Sequence, residues 1–271
     1  MKRAVVVVNL SKPHIVAWCG AFAEGLMRHD FDVTISEHAS AADVVVLWGT
    51  RNREAVALQK SIGGEVCVLE RGYLGDRFKW SSVSFGGELN GRAIFRGPFQ
   101  DPSRWEKNFT DLMRPWHRRD GYALLIGQLQ GDVSIKHVNI QDWYSDTAGA
   151  LQGAGWSVRF RQHPGAIERG HPPPQICGVP VLAGTLHEAM AGAGLVVTFN
   201  SNTGVESVLA GYPTLTMDPG AMAWPVTGHD VGSIVTPDRD SWACAMAWKQ
   251  WTIDEIASGA CWDAVKPNLV S

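Results

Sequence analysis

The chain has 271 residues, 45% of them hydrophobic and 19% charged, with a formal net charge of −3. That composition belongs to a globular protein with one large core or two small ones, and excludes disordered and collagenous chains. The near-neutral balance gives no overall sign of a polyanionic partner, and no run approaches the roughly 20 apolar residues that cross a bilayer.

Met1-Lys2-Arg3 followed by an apolar run resembles a secretory leader, but Asn9 and Ser11-Lys12-Pro13-His14 interrupt it. A first strand at 4–9, buried on both faces, fits better, and the expected location is cytoplasmic, a host cytoplasm if the chain is phage-encoded. The spacing of Val16, Cys19, Phe22, Ala23 and Leu26 predicts a helix over 15–28. Strands follow at 32–37 and 43–48, a helix at 53–61 and a strand at 65–69. Residues 70–100 are broken by Gly72, Gly75, Gly86, Gly87, Gly91 and Gly97, and predict a long loop with short strands. A helix is expected at 103–113, ended by Pro115.

A second series begins with a strand at 122–126, a helix at 141–152 and a strand at 157–162. The proline-rich loop 165–178, a short strand at 179–182 and a helix at 186–193 come next. A strand at 195–199, a helix at 204–210 and strands at 214–217 and 233–236 follow, with an amphipathic helix near 248–257. Strands alternating with helices predict parallel α/β sheets. The expected division is two Rossmann-like domains, 1–117 and 118–271, with a ligand cleft between them and the last helix returning to the first domain. The five cysteines form no Cys-x-x-Cys pair. They read as reduced thiols, which excludes a cysteine-ligated metal.

The chemistry-bearing residues gather after predicted strands of the second half. Thr198-Phe199-Asn200-Ser201-Asn202-Thr203-Gly204-Val205-Glu206 ends a buried strand and opens a helix, whose first N–H groups suit a phosphate. Ser201 and Thr203 add hydroxyls, and Glu206 can accept from ribose hydroxyls; simple capping by Ser201 or Asn202 is the alternative. Arg161 and His163 stand at another strand end, suited to phosphate oxygens. Gln128 to Ser134, with Gln128 and Asp132, form a third loop at the same predicted rim.

Taken in order, Gln128-Leu129-Gln130-Gly131-Asp132, Arg161-Gln162-His163-Pro164 and Asn200-Ser201-Asn202-Thr203-Gly204-Val205-Glu206 resemble capsule-type GT-B glycosyltransferases. The likeness covers roughly 120–260. Weaker similarities to small phage-encoded relatives lie at Glu70-Arg71-Gly72-Tyr73-Leu74-Gly75-Asp76-Arg77 and Leu89-Asn90-Gly91-Arg92. The resemblance implies a GT-B fold, an acceptor-side domain at 1–117 and a donor-side domain at 118–271. It assigns His163, Ser201 and Thr203 to donor phosphate and Glu206 to ribose, with Gln128, Asp132, Arg161 and Asn202 beside them. It implies no cofactor beyond a nucleotide-sugar co-substrate such as a UDP-sugar or CMP-sugar. The resemblance implies metal-independent transfer, in which a helix dipole and side chains stabilise the leaving phosphate.

Asp76 and then Glu70 are the expected catalytic bases, unless each merely pairs with a neighbouring arginine. Between 71 and 119 ten Lys/Arg stand against five Asp/Glu, interleaved with aromatics. That pattern suits a nucleic-acid backbone and an unstacked base. The favoured acceptor is therefore a hydroxymethylated pyrimidine, hydroxymethylcytosine or hydroxymethyluracil, in double-stranded phage DNA. Arg114, Arg118 and Arg119 are then the phosphate partners. A capsule or surface glycan is the alternative acceptor, and a non-catalytic nucleotide-binding module the alternative function. A dinucleotide oxidoreductase is disfavoured because no Gly-x-Gly-x-x-Gly follows the first strand.

Overall fold

In chain order the elements are β1 (Lys2–Val7), α1 (Pro13–Met27), β2 (Phe31–Ser36), β3 (Val44–Trp48), α2 (Arg53–Ser61), β4 (Glu65–Arg71), β5 (Ser81–Phe85) and α3 (Ser103–Asn108). They continue as β6 (Tyr122–Ile126), α4 (Ile140–Gly153), β7 (Val158–Arg161), α5 (Pro164–Glu168), β8 (Val181–Leu182), α6 (Leu186–Ala191), β9 (Ala193–Thr198), α7 (Thr203–Leu209) and β10 (Thr214–Thr216). The last are α8 (Asp240–Ala247), β11 (Gln250–Trp251), α9 (Ile253–Ala257) and α10 (Ala260–Val265). The structure, a computed structural model, describes residues 1–117 and 120–267. It falls into two compact units, Met1–Phe109 with Asp240–Ser271, and Thr110–Arg239.

The first unit is built on a sheet of order β11-β5-β4-β3-β1-β2. β1 to β4 are parallel, whereas β5 and β11 add on antiparallel. Successive strand residues point to opposite faces. Ala4, Val6 and Val8 accordingly join Phe22, Leu26 and Trp262 on one side, and Val5 joins Val45, Val56 and Val66 on the other. Gly25 lets α1 meet α9, because a Cβ there would collide with the Ile256 carbonyl oxygen.

The returning segment is fixed by one arginine. Arg104, only 7% exposed, forms a two-pronged pair with Glu255, both contacts at 2.7 Å. It also donates to the Ala247 and Gln250 carbonyls and lies 4.2 Å from the Trp251 ring centroid. Fully buried Gln250 in turn accepts from the backbone N–H of Tyr73 and Leu74 and donates to the Leu74 carbonyl.

The second unit holds an all-parallel sheet of order β10-β9-β6-β7-β8. Leu125, Leu195 and Val197 pack with Tyr144 and Phe160 on one face, while Leu124, Ile126 and Val196 face Met190 and Tyr212 on the other.

Several expectations need correcting. The division falls after Phe109, whereas the sequence reading sets it at 117. The segment from Asp240, whose last helix is expected to return to the first domain, is grouped with the first unit. Residues 233–236 form no strand; their run is β-branched, but Ser233 is committed to a turn with Asp230. The helix expected over 103–113 stops at Asn108 and gives way to a 3-10 turn, Thr110–Leu112. In place of one helix over 248–257 the chain forms β11 and then α9, opened by a capping box of Thr252 and Glu255. All five cysteines are free thiols.

Burial raises the pKa of Glu255, but the bonds from Arg104 and from Thr252 outweigh it and hold the carboxyl below its ordinary range. A depressed carboxyl contributes stability above its unfolded value, about 4.3, and loses it as pH falls through the folded value. Glu255→Gln should therefore flatten the fall in stability below about pH 4.3 in denaturant titrations. Arg104→Met should lower stability at neutral pH by about 3 kcal/mol, the low end for breaking a buried pair because Glu255 is partly exposed.

Candidate functional site

In the second sheet β6 lies between β7 and β9, so the connections leave it in opposite directions. Ligands of open α/β sheets collect outside the strand carboxyl ends at such a switch point. Here the loops after β6 and β9 are tied to each other. The Gln128 amide donates to Asn200 Oδ1 at 2.7 Å, and the Asn200 backbone N–H donates to Gln128 Oε1 at 2.9 Å. Asn200, 4% exposed, also donates from Nδ2 to the Ser134 carbonyl and, at 2.6 Å, to Asp218 Oδ2. Asp218 is buried after β10 and has His137 3.8 Å away. The Gln128 backbone N–H is bound at 2.6 Å by the Tyr144 hydroxyl.

The β7 loop joins the same rim. Gly127 permits the approach, since a Cβ there would come within 2.8 Å of the Phe160 ring and 3.0 Å of the Arg161 carbonyl oxygen. His163 caps α5, its Nδ1 accepting from the Gly165 N–H at 3.0 Å. An acceptor at Nδ1 puts the hydrogen on Nε2, so the other end of the neutral ring is a donor. His163 and Gln128 share the wall of a cavity of about 30 Å³ with Gln130, Gln162 and His171.

After β9, Ser201 donates its backbone N–H to Thr198 Oγ1 and receives the Thr203 N–H on its own hydroxyl, both at 3.2 Å. The two hydroxyls lie 3.3 Å apart. Asn202 precedes α7 in a helical conformation and makes no side-chain cap, so the capping alternative holds for Ser201, which accepts the Thr203 N–H, and not for Asn202. Its amide instead donates to Glu206 Oε1 at 3.1 Å. Glu206 also acts on Arg161, whose pKa is lowered by burial and partly restored by that carboxylate. Arg161, His163, Ser201, Asn202, Thr203, Glu206 and Gln128 thus stand on adjoining loops of one rim. Asp132 is engaged within its own loop, its carboxylate accepting from the N–H and hydroxyl of Ser134.

The remaining sequence candidates lie elsewhere. Glu70 and Asp76 belong to the first unit. Asp76 is exposed and accepts from the Phe78 N–H at 3.0 Å, as in a turn. Glu70 ends β4 half-buried, with Oε1 on the Arg71 N–H at 2.9 Å and Oε2 against Gly49. Arg114 binds Leu209 and Arg239 through its backbone. Arg118 and Arg119 lie outside the described residues. Within the basic and aromatic segment Tyr73, Phe85, Arg104, Trp105 and Phe109 are buried and Arg96 pairs with Glu65, while Arg77, Lys79, Arg92, Lys107 and Arg114 are exposed. Sequence reasoning missed Asn200 and Asp218 as the inner network, although each polar residue directly ends an apolar strand or its extension.

Two Rossmann-like units with parallel sheets define the class of this architecture, the GT-B fold. In particular, the chain is similar to the solved beta Kdo 2,4 transferase of Thermosulfurimonas dismutans KpsC, with a TM-score of 0.61, 15% identity and 92% of each chain covered. It is also similar to the beta Kdo 2,7 transferase of the same organism's KpsC, with a TM-score of 0.50, 13% identity, and 96% of this chain and 99% of the other covered. No protein-family model and no curated protein matches the sequence. No described helix is long and apolar enough to cross a membrane.

Replacing Asn200 by Leu removes the donors to Asp218 and Ser134 together with the Gln128 pair. Stability should fall by about 2–3 kcal/mol, measured as a lowered denaturant midpoint, whereas Asn202→Ala, at a half-buried position without a cap bond, should cost about 1 kcal/mol.

Proposed function

We propose that this chain is a glycosyltransferase that binds a nucleotide-sugar at the rim of the second sheet and transfers the sugar to a hydroxyl on a glycan. The carrying observation is the meeting of the β6, β7 and β9 loops at one switch point, fastened by the reciprocal Gln128–Asn200 pair. Nε2 of His163 donates to a donor phosphate, the hydroxyls of Ser201 and Thr203 and the N–H groups beside them add to that cradle, and Arg161 supplies positive charge. Glu206 receives the ribose hydroxyls, with Asn202 holding its carboxylate. As the sugar leaves, negative charge grows on the nucleotide phosphate, and donors already fixed in place stabilise it there. The proposal requires no resident metal, so turnover should survive chelator.

The acceptor falls to the first unit. Glu70 is the stronger base candidate, because it lies half-buried next to the end of β4, where a raised basicity can be held, whereas Asp76 is exposed in a turn. A glycan acceptor is preferred over hydroxymethylated DNA because Tyr73, Phe85, Trp105 and Phe109 are buried and so do not face an unstacked base. Arg104 is held by Glu255 and Arg96 is paired with Glu65, which leaves Arg77, Lys79, Arg92, Lys107 and Arg114 as the exposed cations among the described residues of that segment.

His163→Ala should weaken donor binding by about 1.5–3 kcal/mol in calorimetry with UDP- and CMP-sugars, while a second-sheet residue off the rim should leave it alone. Unchanged affinity would remove His163 from the site. Glu70→Gln should cut turnover by about 10²–10⁴-fold and Asp76→Asn should change it little. The reverse order would transfer the role to Asp76.

A further inference from the structure

A second rim carries chemistry that the donor site does not use. In the first sheet β1 lies between β2 and β3, which makes a switch point there as well. The loop after β1 brings Lys12 and the first turn of α1 brings His14 to this end, β3 brings Trp48, and β4 brings Arg71. The His14 ring meets Trp48 edge-on, with centroids 5.6 Å apart and planes at 77°. The Arg71 guanidinium lies over two rings, 5.5 Å from the Trp48 centroid and 4.7 Å from that of Phe78. Phe78 is 68% exposed, an unusual position for so large an apolar ring.

Arg71 is the central group. Among the described residues its backbone N–H binds Glu70, but its guanidinium makes no hydrogen bond or close ion pair. Five N–H donors are therefore held over ring faces and left for something else. The surroundings are positive: burial, then Arg71 and Lys12, lower the pKa of His14, and burial lowers that of Arg71 with Arg77 adding to it. Glu70 is the acid that opposes them on Arg71. A flat cation with open donors recognises a carboxylate or phosphate through paired oxygens, and aromatic faces beside it accept the C–H face of a sugar ring.

We infer that Arg71, with Trp48 and Phe78, forms an acceptor subsite for a saccharide bearing a carboxylate or phosphate near its receiving hydroxyl. The inference rests on the glycosyltransferase reading and sharpens its acceptor. Glu70, adjoining Arg71 in sequence, places the base candidate beside the anion receptor. Duplex DNA fits less well, because it needs several cations spaced along a backbone, and Lys12, His14, Arg71 and Arg77 form one compact group.

The test uses the full chain without donor and titrates glucuronate, glucose 6-phosphate, glucose and a short DNA duplex, following tryptophan fluorescence and ligand-observed NMR. One or both anionic sugars should bind, the bound anion identifying carboxylate or phosphate, and glucose should bind about 10–100-fold more weakly. Arg71→Met, which keeps the packing and removes the charge, should abolish that preference, and Arg71→Lys should restore part of it. Equal binding of glucose and the anions, binding of none of them, or a preference that survives Arg71→Met overturns the subsite. Duplex binding that Arg71→Met abolishes also overturns it, in favour of DNA. Donor calorimetry on the same variants keeps the two ideas apart: donor affinity should be unchanged by Arg71→Met, and only its loss in the wild type would count against the glycosyltransferase reading itself.

Discussion

One guanidinium joins the two ends of the sequence. Arg104 lies in α3, yet every strong partner it has, the Glu255 carboxylate and the carbonyls of Ala247 and Gln250, comes from the last segment of the chain. An arginine so deeply buried is tolerable only when all its donors are met and its faces are covered, here by Trp251 and, farther off, Trp80 and Trp248. The same contact sets Gln250, whose side chain stands in for a strand partner to Tyr73 and Leu74. The loop that leads from Glu70 past Asp76 is thus shaped by residues more than a hundred and seventy positions away.

The two rims share a design with different contents. Each uses the loops at a switch point of a sheet, where backbone N–H groups and side chains emerge from rigid strands. The second is polar inside, with amides and a carboxylate satisfying one another so that the outer groups hold still. The first is cationic and aromatic, with an arginine positioned by rings rather than by hydrogen bonds. Satisfied networks favour recognition of a demanding polar ligand, whereas a cation on aromatic faces tolerates variation in ring shape around a fixed anion.

Strands were legible where apolar runs are β-branched: the expected spans 43–48, 122–126 and 195–199 correspond to Val44–Trp48, Tyr122–Ile126 and Ala193–Thr198. β5 escaped as a defined strand because its sequence is Ser-Ser-Val-Ser-Phe, and a buried serine looks polar until its hydroxyl finds a carbonyl, as Ser81 does at Glu70. The span 233–236 misled in the opposite direction, since β-propensity without a neighbouring strand to pair with produces nothing. Gln128, His163 and Ser201 were readable because loops after strands can be located from the strands themselves. The contact of His14, Trp48, Arg71 and Phe78 left no local trace, being assembled from four separate stretches. Charge counting over 71–119 has a related limit: composition does not distinguish an exposed arginine such as Arg77 from Arg104, stacked in the core.

The division of the chain also fixes an order of events. The second unit is one continuous stretch, Thr110–Arg239, inserted within the first, whose remaining portion is Asp240–Ser271. During synthesis the inserted unit has all its strands as soon as residue 239 leaves the ribosome. The first unit, although its strands are made earliest, must wait with Arg104 unpaired and the β5 edge uncovered until β11 and α9 emerge. Domains usually mature from the amino terminus onward. Here the interior stretch is complete in sequence before the first unit has its last strand.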